Sequence, residues 1–149
     1  MQEVFGDFWS YPADIKCITT NGIVNAKGLA VMGRGIALQA QSVVPDIRSL
    51  LGDILLSHGN VVWPITEVDG VSYIAFPVKD HWRYRASLYL IARSLIQLEA
   101  AVSALPEVPK VLLPRPGCGN GGLTWENVRP LCLHLPDNFV IIERSNAHN

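Results

Sequence analysis

At 149 residues, with 49% hydrophobic and 17% charged side chains, the chain can bury a sizeable core, and its composition suits a compact α/β protein better than a disordered one. A net charge of −1 argues against a broad cationic surface gripping nucleic acid by counterion release, but not against a pocket that reads one modified nucleotide. The three cysteines (Cys17, Cys118, Cys132) lack metal-ligand spacing, no leader pattern opens the chain and no apolar run approaches membrane-spanning length. Reduced thiols and a soluble, cytoplasmic protein are therefore expected.

In chain order, a short strand is predicted near Glu3–Phe5 and a second over Ile15–Thr20. Thr20-Asn21-Gly22 then opens a loop, Asn25-Ala-Lys-Gly-Leu-Ala-Val-Met-Gly-Arg-Gly-Ile-Ala-Leu38, from which a helix runs over Gly35–Gln41. A helix over Pro45–Ser57 follows, with Pro45 in its first turn and Gly59 just past its end. Strands are predicted at Asn60–Ile65 and Val71–Val78, and Glu67-Val-Asp-Gly70 between them reads as a hairpin turn, so the pair is antiparallel. Leu88, Ile91, Leu95, Leu98 and Val102 recur at helical steps and predict a helix over Ala86–Leu105, ended by Pro106 and Pro109. A strand at Lys110–Leu113, a glycine-rich loop, a helix over Thr124–Leu135 and a strand at Asn138–Glu143 follow. This alternation predicts an α/β fold with a mixed, mostly parallel central sheet between helices. In such sheets ligands bind beyond the carboxyl ends of the strands, where both glycine loops fall.

The later loop, Pro114-Arg-Pro-Gly-Cys-Gly-Asn-Gly-Gly-Leu-Thr-Trp-Glu-Asn-Val128, holds Gly117, Gly119, Gly121 and Gly122. A glycine-rich turn between strand and helix aims several N–H groups at one point, and the helix N-terminus behind it adds positive partial charge. The natural guest is a phosphate. The earlier loop repeats this logic: Gly28, Gly33 and Gly35 permit close backbone approach, and Asn21 and Asn25 can reach ribose hydroxyls. Neither loop has dinucleotide-fingerprint or P-loop spacing. Two such loops in one small domain suit a diphosphate clamped from both sides.

Together these stretches resemble the macrodomains, ADP-ribose-binding modules, over most of the chain. Gly6-Asp7-Phe8-Trp9 is similar to the family's Gly-Asp element, whose acid receives the adenine amino group. Val31-Met-Gly-Arg-Gly-Ile-Ala37 resembles the loop around the distal ribose and diphosphate, and Gly117-Cys-Gly-Asn-Gly-Gly-Leu-Thr-Trp125 the second diphosphate loop. Both resemble the branch of terminal ADP-ribose glycohydrolases and antitoxin macrodomains that remove ADP-ribose from DNA thymidine. The resemblance implies a three-layer α/β/α fold in a single domain over residues 1–149, monomeric, with no metal or other cofactor. It implies ADP-ribose contacts from Asp7, Phe8, Thr20, Asn21, Asn25, Met32, Gly33, Arg34, Gly35 and Ile36, and from Pro116, Gly117, Cys118, Gly119, Asn120 and Gly121.

Ile74-Ala-Phe-Pro-Val-Lys79 resembles that branch's catalytic lysine strand, which implies that Lys79 acts at the anomeric carbon of the distal ribose. A lysine partly desolvated at a strand end has a lowered pKa and a freer amine. Protein-directed members of the branch carry aspartate where this chain has Asn120, and the DNA-directed ones carry asparagine, so ADP-ribosylated DNA is the expected target. The alternatives are a reader of ADP-ribose marks without turnover and a phosphatase of ADP-ribose-1″-phosphate. No aromatic near Arg144 offers to stack adenine, leaving Arg144, Phe8 or Trp9 as the wall. Helix-end dipoles could lower the Cys118 thiol pKa, although packing under the loop is the expected role. Trp63 is expected in the core, Asp80 and His81 in a surface loop, and His58, His134 and His148 carry no assigned role. Trp82-Arg83-Tyr84-Arg85 either stacks on a nucleic-acid strand near the pocket mouth or begins an amphipathic helix.

Overall fold

The computed structural model describes residues 1–144. Its strands are β1 (Gln2–Phe5), β2 (Ile15–Thr20), β3 (Trp63–Val68), β4 (Val71–Pro77), β5 (Val111–Pro114) and β6 (Phe139–Glu143). Its α-helices are α1 (Gly35–Val43), α2 (Ile47–His58), α3 (Leu88–Ser103) and α4 (Trp125–Cys132). The strands form one sheet in the order β1-β6-β5-β2-β4-β3, with every neighbouring pair parallel except β3 and β4. That exception is the predicted hairpin. Asp69 and Gly70 take left-handed backbone (φ 51° and 82°), the two-residue turn whose twist matches its flanking strands.

Successive strand residues point to opposite faces, and here they feed two cores. Cys17, Phe76, Leu113 and Ile141 pack with Ile91, Leu95 and Leu98 of α3 and Val128 of α4. Ile18, Ala75, Leu112 and Val140 pack with Ala40 of α1 and with Ile47 and Leu51 of α2. A sheet buried on both faces is the middle of three layers, and each large side chain fully buried there contributes about 1.5–3 kcal/mol. At one edge, Glu3 ties β1 to α4 by accepting from Trp125 Nε1 (3.0 Å) and from Arg129 Nε and Nη2 (3.0 and 2.9 Å).

Several expected boundaries shift for local reasons. Asp46 takes left-handed backbone (φ 58°), so Pro45 sits in the corner between α1 and α2 rather than in a first helical turn. Ser87 caps α3, its hydroxyl accepting from the Leu90 N–H (3.2 Å), while the Ala86 N–H donates to Gly121 O (2.8 Å) outside the helix. The buried stripe of α3 is Leu90, Ile91, Ser94, Leu95, Leu98 and Val102, and Leu88, expected on it, is exposed. Pro130 lies inside α4 without an amide to donate, and the helix stops at Cys132, short of Leu135. Trp63 is not in the core: it is 39% exposed on the edge strand β3 and stacks on His58 with ring centroids 3.8 Å apart. The edge also accommodates Pro64 beside a register shift in the ladder. His148 lies outside the described residues.

Candidate functional site

The carboxyl ends of β1, β2, β4, β5 and β6 open on one cleft of about 900 Å³, a size that suits a cofactor-sized ligand. Gly6, Asp7 and Phe8 line it after β1, Thr19, Thr20 and Asn21 at the end of β2, and Val78 and Lys79 after β4. Pro114, Arg115 and residues 117–121 line it after β5, Ile142, Glu143 and Arg144 at β6, and residues 31–37 close it from the first loop.

The first loop is shaped by its own amides and by α2. Asn21 Nδ2 donates to Val31 O (3.0 Å) and its Oδ1 accepts from the Ile23 N–H (3.0 Å). Behind the loop, Arg48 Nε donates to Ala30 O (2.8 Å) and Arg48 O accepts from the Ala30 N–H (2.9 Å). Gly52 of α2 lies so close that a β-carbon there would collide with Gly28 O. The loop delivers the chain to α1, whose N-cap Arg34 makes no side-chain cap, so free N–H groups of Gly35, Ile36 and Ala37 sit at the cleft with the positive end of the helix dipole.

In the second loop, Gly117 has φ 76°, and a β-carbon there would stand 2.6 Å from Ile91 Cδ1 and 2.9 Å from Ala86 Cβ, so glycine is required. Residues Gly119–Gly121 form a 3₁₀ turn, again without a side-chain cap. The expected contribution of α4 is corrected: Thr124 caps it, accepting from the Asn127 N–H (3.4 Å), and none of its residues lines the cleft. The two loops meet where Asn120 Nδ2 lies 3.0 Å from the position a Gly35 β-carbon would take. Burial pushes the Cys118 thiol above its ordinary pKa; the Arg115 guanidinium opposes the rise and Glu143 adds to it. Cys118 is half-buried and packs against the core beneath α3 and α4. All three cysteines are free.

Lys79 is held by its neighbours. The buried Ser94 hydroxyl donates to Pro77 O (2.7 Å), and the Ser87 N–H donates to Val78 O (2.9 Å). Asn60 Nδ2 donates to Lys79 O (3.2 Å) and to Asp80 Oδ1 (2.9 Å), which makes Asp80 a loop-holding residue. Lys79 Nζ donates to Trp82 O (3.3 Å). Burial first, and then the Arg34 charge, hold its pKa below the ordinary lysine value. Nearby, Thr20 Oγ1 is buried on the cleft wall with no hydrogen-bond partner among the described residues, an arrangement that costs about 1–3 kcal/mol until a polar atom meets it. At the β1 end, Asp7 Oδ2 accepts from the Ser10 N–H (3.0 Å) and Phe8 packs beneath.

No protein-family model matches the chain. A curated relative from Mycobacterium tuberculosis, named DNA ADP-ribosyl glycohydrolase, is 34% identical over 141 residues, 87% of this chain and 40% of the relative. The chain thus spans about 40% of that relative's length. The solved macrodomain of Mycobacterium tuberculosis DarG superimposes with a TM-score of 0.77 at 29% identity, covering 97% of this chain and 99% of that one. The chain is a macrodomain of the DarG type. DarTG of Thermosipho africanus, solved in complex with ADP-ribose, shares the fold at 22% identity with a TM-score of 0.74, over 100% of this chain and 43% of that one.

Most of the positions the resemblance singled out converge on this macrodomain's cleft: Asp7, Phe8, Thr20, Asn21, Met32, Gly33, Arg34, Gly35, Ile36, Lys79, Gly117, Cys118, Gly119, Asn120 and Gly121. Two do not. Asn25 is exposed, with its Oδ1 closing a turn on the Lys27 and Leu29 N–H groups (2.9 and 3.0 Å), and Pro116 is buried outside the cleft lining. Of the candidate walls, Phe8 and Arg144 line the cleft. Trp9 does not, because its Nε1 donates to Gln39 Oε1 (2.7 Å) and its ring meets Phe8 edge-on. Sequence reasoning missed Arg115 and Glu143, which pair across the cleft wall at 3.2 Å; a cation inside a glycine-rich loop was the available signal. No group of three His, Cys, Asp or Glu side chains among the described residues is arranged to hold a metal, and no helix there is long and apolar enough to cross a membrane.

Proposed function

We propose that this macrodomain binds ADP-ribose across the cleft and hydrolyses the bond joining the distal ribose to thymidine in DNA, with Lys79 as the reacting side chain. The observation that carries the reading is the position of Lys79, a partly buried amine on the cleft wall between two loops suited to a diphosphate. The name of the mycobacterial relative supports the reaction and the target, and the Thermosipho complex supports the ligand. Asp7 receives the adenine amino group between Phe8 and Arg144. The N–H groups of residues 33–36 and 117–121 hold the diphosphate. Thr20 and Met32 face the ribose, and Asn21 acts through the loop it shapes.

The lowered pKa favours the neutral Lys79 amine, whose lone pair attacks the anomeric carbon. The bond from that carbon to the base breaks, the electron pair leaves with the base, and the proton lost from Lys79 returns to it. Water then adds at the same carbon, which releases ADP-ribose and restores the amine. Asn120 accepts no proton at neutral pH and serves to orient a hydroxyl. The same residue favours a second reading, a reader of ADP-ribose marks without turnover. A time course of ADP-ribose release from a thymidine-ADP-ribosylated oligonucleotide separates them: wild type releases ADP-ribose, Lys79→Ala does not, and both retain ADP-ribose binding. An inert wild type sinks the DNA-directed reading, and release of inorganic phosphate from ADP-ribose-1″-phosphate would indicate a phosphatase instead.

A further inference from the structure

Residues 79–87 leave the cleft and return to it. The base of this excursion is closed by the Ser87 N–H on Val78 O (2.9 Å) and the Ala86 N–H on Gly121 O (2.8 Å), so its tip projects from two fixed ends. Inside the tip, the Arg83 N–H donates to His81 Nδ1 and the Tyr84 N–H to His81 O, both at 3.1 Å. The rings of Trp82 and Tyr84 both lie against His81, with centroids 5.4 and 5.1 Å away, and the Arg83 guanidinium covers Trp82 at 5.0 Å. Trp82 is nonetheless 46% exposed and Tyr84 66%, and neither belongs to a core. Helix α3 starts only at Leu88, so an amphipathic helix start does not account for them.

Two features say what this surface meets. The first is continuity: Trp82 lines the cleft mouth, and its carbonyl accepts from Lys79 Nζ, so a macromolecule joined to the reacting ribose emerges here. The second is chemistry. The aromatic faces stand beside Arg83 and Arg85, Arg85 Nη2 is anchored on Gly122 O (2.6 Å), and the neighbouring Asp80 carboxylate is engaged by Asn60. Aromatic rings interleaved with cations fit unstacked bases joined by phosphates, and the stacking tolerates any sequence. A base held at an enzyme's cleft must leave the duplex stack, which exposes its neighbours.

We propose that the tip Trp82-Arg83-Tyr84 is a stacking platform for the bases of single-stranded DNA flanking the ADP-ribosylated nucleotide, with Arg83 meeting the strand's phosphates. The proposal rests on the DNA-directed reading for why a strand is present. Its test is the double variant Arg83→Ala/Tyr84→Ala, both outside the cleft lining. Fluorescence anisotropy with an unmodified single strand of about ten nucleotides should show the Kd rising about tenfold or more, with a shallower salt dependence. Calorimetry with ADP-ribose should show unchanged affinity. Equal strand affinity in variant and wild type, a wild type that binds no strand, or parallel loss of ADP-ribose affinity would each overturn the platform. The activity reading fails separately, when wild type binds the strand yet releases no ADP-ribose from its ADP-ribosylated form.

Discussion

A single amine sets the pH behaviour of the proposed reaction. The folded pKa of Lys79 lies below the ordinary lysine value, so its charged form is disfavoured in the fold: the penalty is complete below the folded pKa and is relieved as pH rises from there through the unfolded value. Attack by the neutral amine follows the same direction. The expected pH profile of kcat/KM rises with a midpoint below that of free lysine, and Arg34→Gln, which removes the neighbouring positive charge, moves that limb to higher pH. An unmoved limb would remove Arg34 as a cause. Thr20 makes a second prediction at this scale. Thr20→Val replaces an unpartnered buried hydroxyl with a methyl group of similar shape, so the empty protein should gain stability, up to about 1 kcal/mol, while ADP-ribose affinity falls about two- to tenfold. Thermal unfolding and calorimetry on one preparation check both signs, and unchanged affinity would mean that no ligand atom meets this hydroxyl.

Individual elements can contradict local propensity when a neighbour intrudes. Gly52 sits inside α2, where alanine would ordinarily improve helix stability by about 1 kcal/mol. Here the added β-carbon strikes Gly28 O in the first loop, so Gly52→Ala is expected to destabilise by about 1–3 kcal/mol. At roughly 2–4 °C per kcal/mol for a chain of this size, Tm should fall by several degrees. Because the same loop feeds α1, ADP-ribose affinity should fall with it. A rise in Tm would show that the loop moves aside freely. Both loops lead into helices, but only α1 brings its N-terminus to the cleft; no side chain among the described residues caps it, whereas Thr124 caps α4.

Across the whole molecule, the cleft exists only where five strand ends are assembled, so a ligand that fills it binds the folded state and not the unfolded one. Tm should therefore climb with ADP-ribose concentration, by about 5–10 °C at a hundredfold excess over Kd, which corresponds to about 2.7 kcal/mol. A flat Tm would argue that the cleft does not hold this ligand.

What the sequence determined by itself is what depends on near neighbours and on motif. The hairpin followed from Asp69-Gly70, the α3 span from its periodic apolar residues, the mostly parallel sheet from alternating elements, and the family from its two glycine loops. The tertiary structure alone decided which members of those loops face the cleft. Pro116 stands between lining residues and Asn25 four positions after Asn21, yet both lie outside the lining: Pro116 is buried, and Asn25 is exposed with its Oδ1 closing a turn. It also decided that Cys118 is half-buried within reach of the Arg115 and Glu143 charges, that Trp63 lies on an open edge, and that Arg115 and Glu143, 28 residues apart in number, share one wall. Local rules register residues within a turn or a strand step, whereas burial, charge proximity and cleft orientation arise from contacts between elements far apart in the chain.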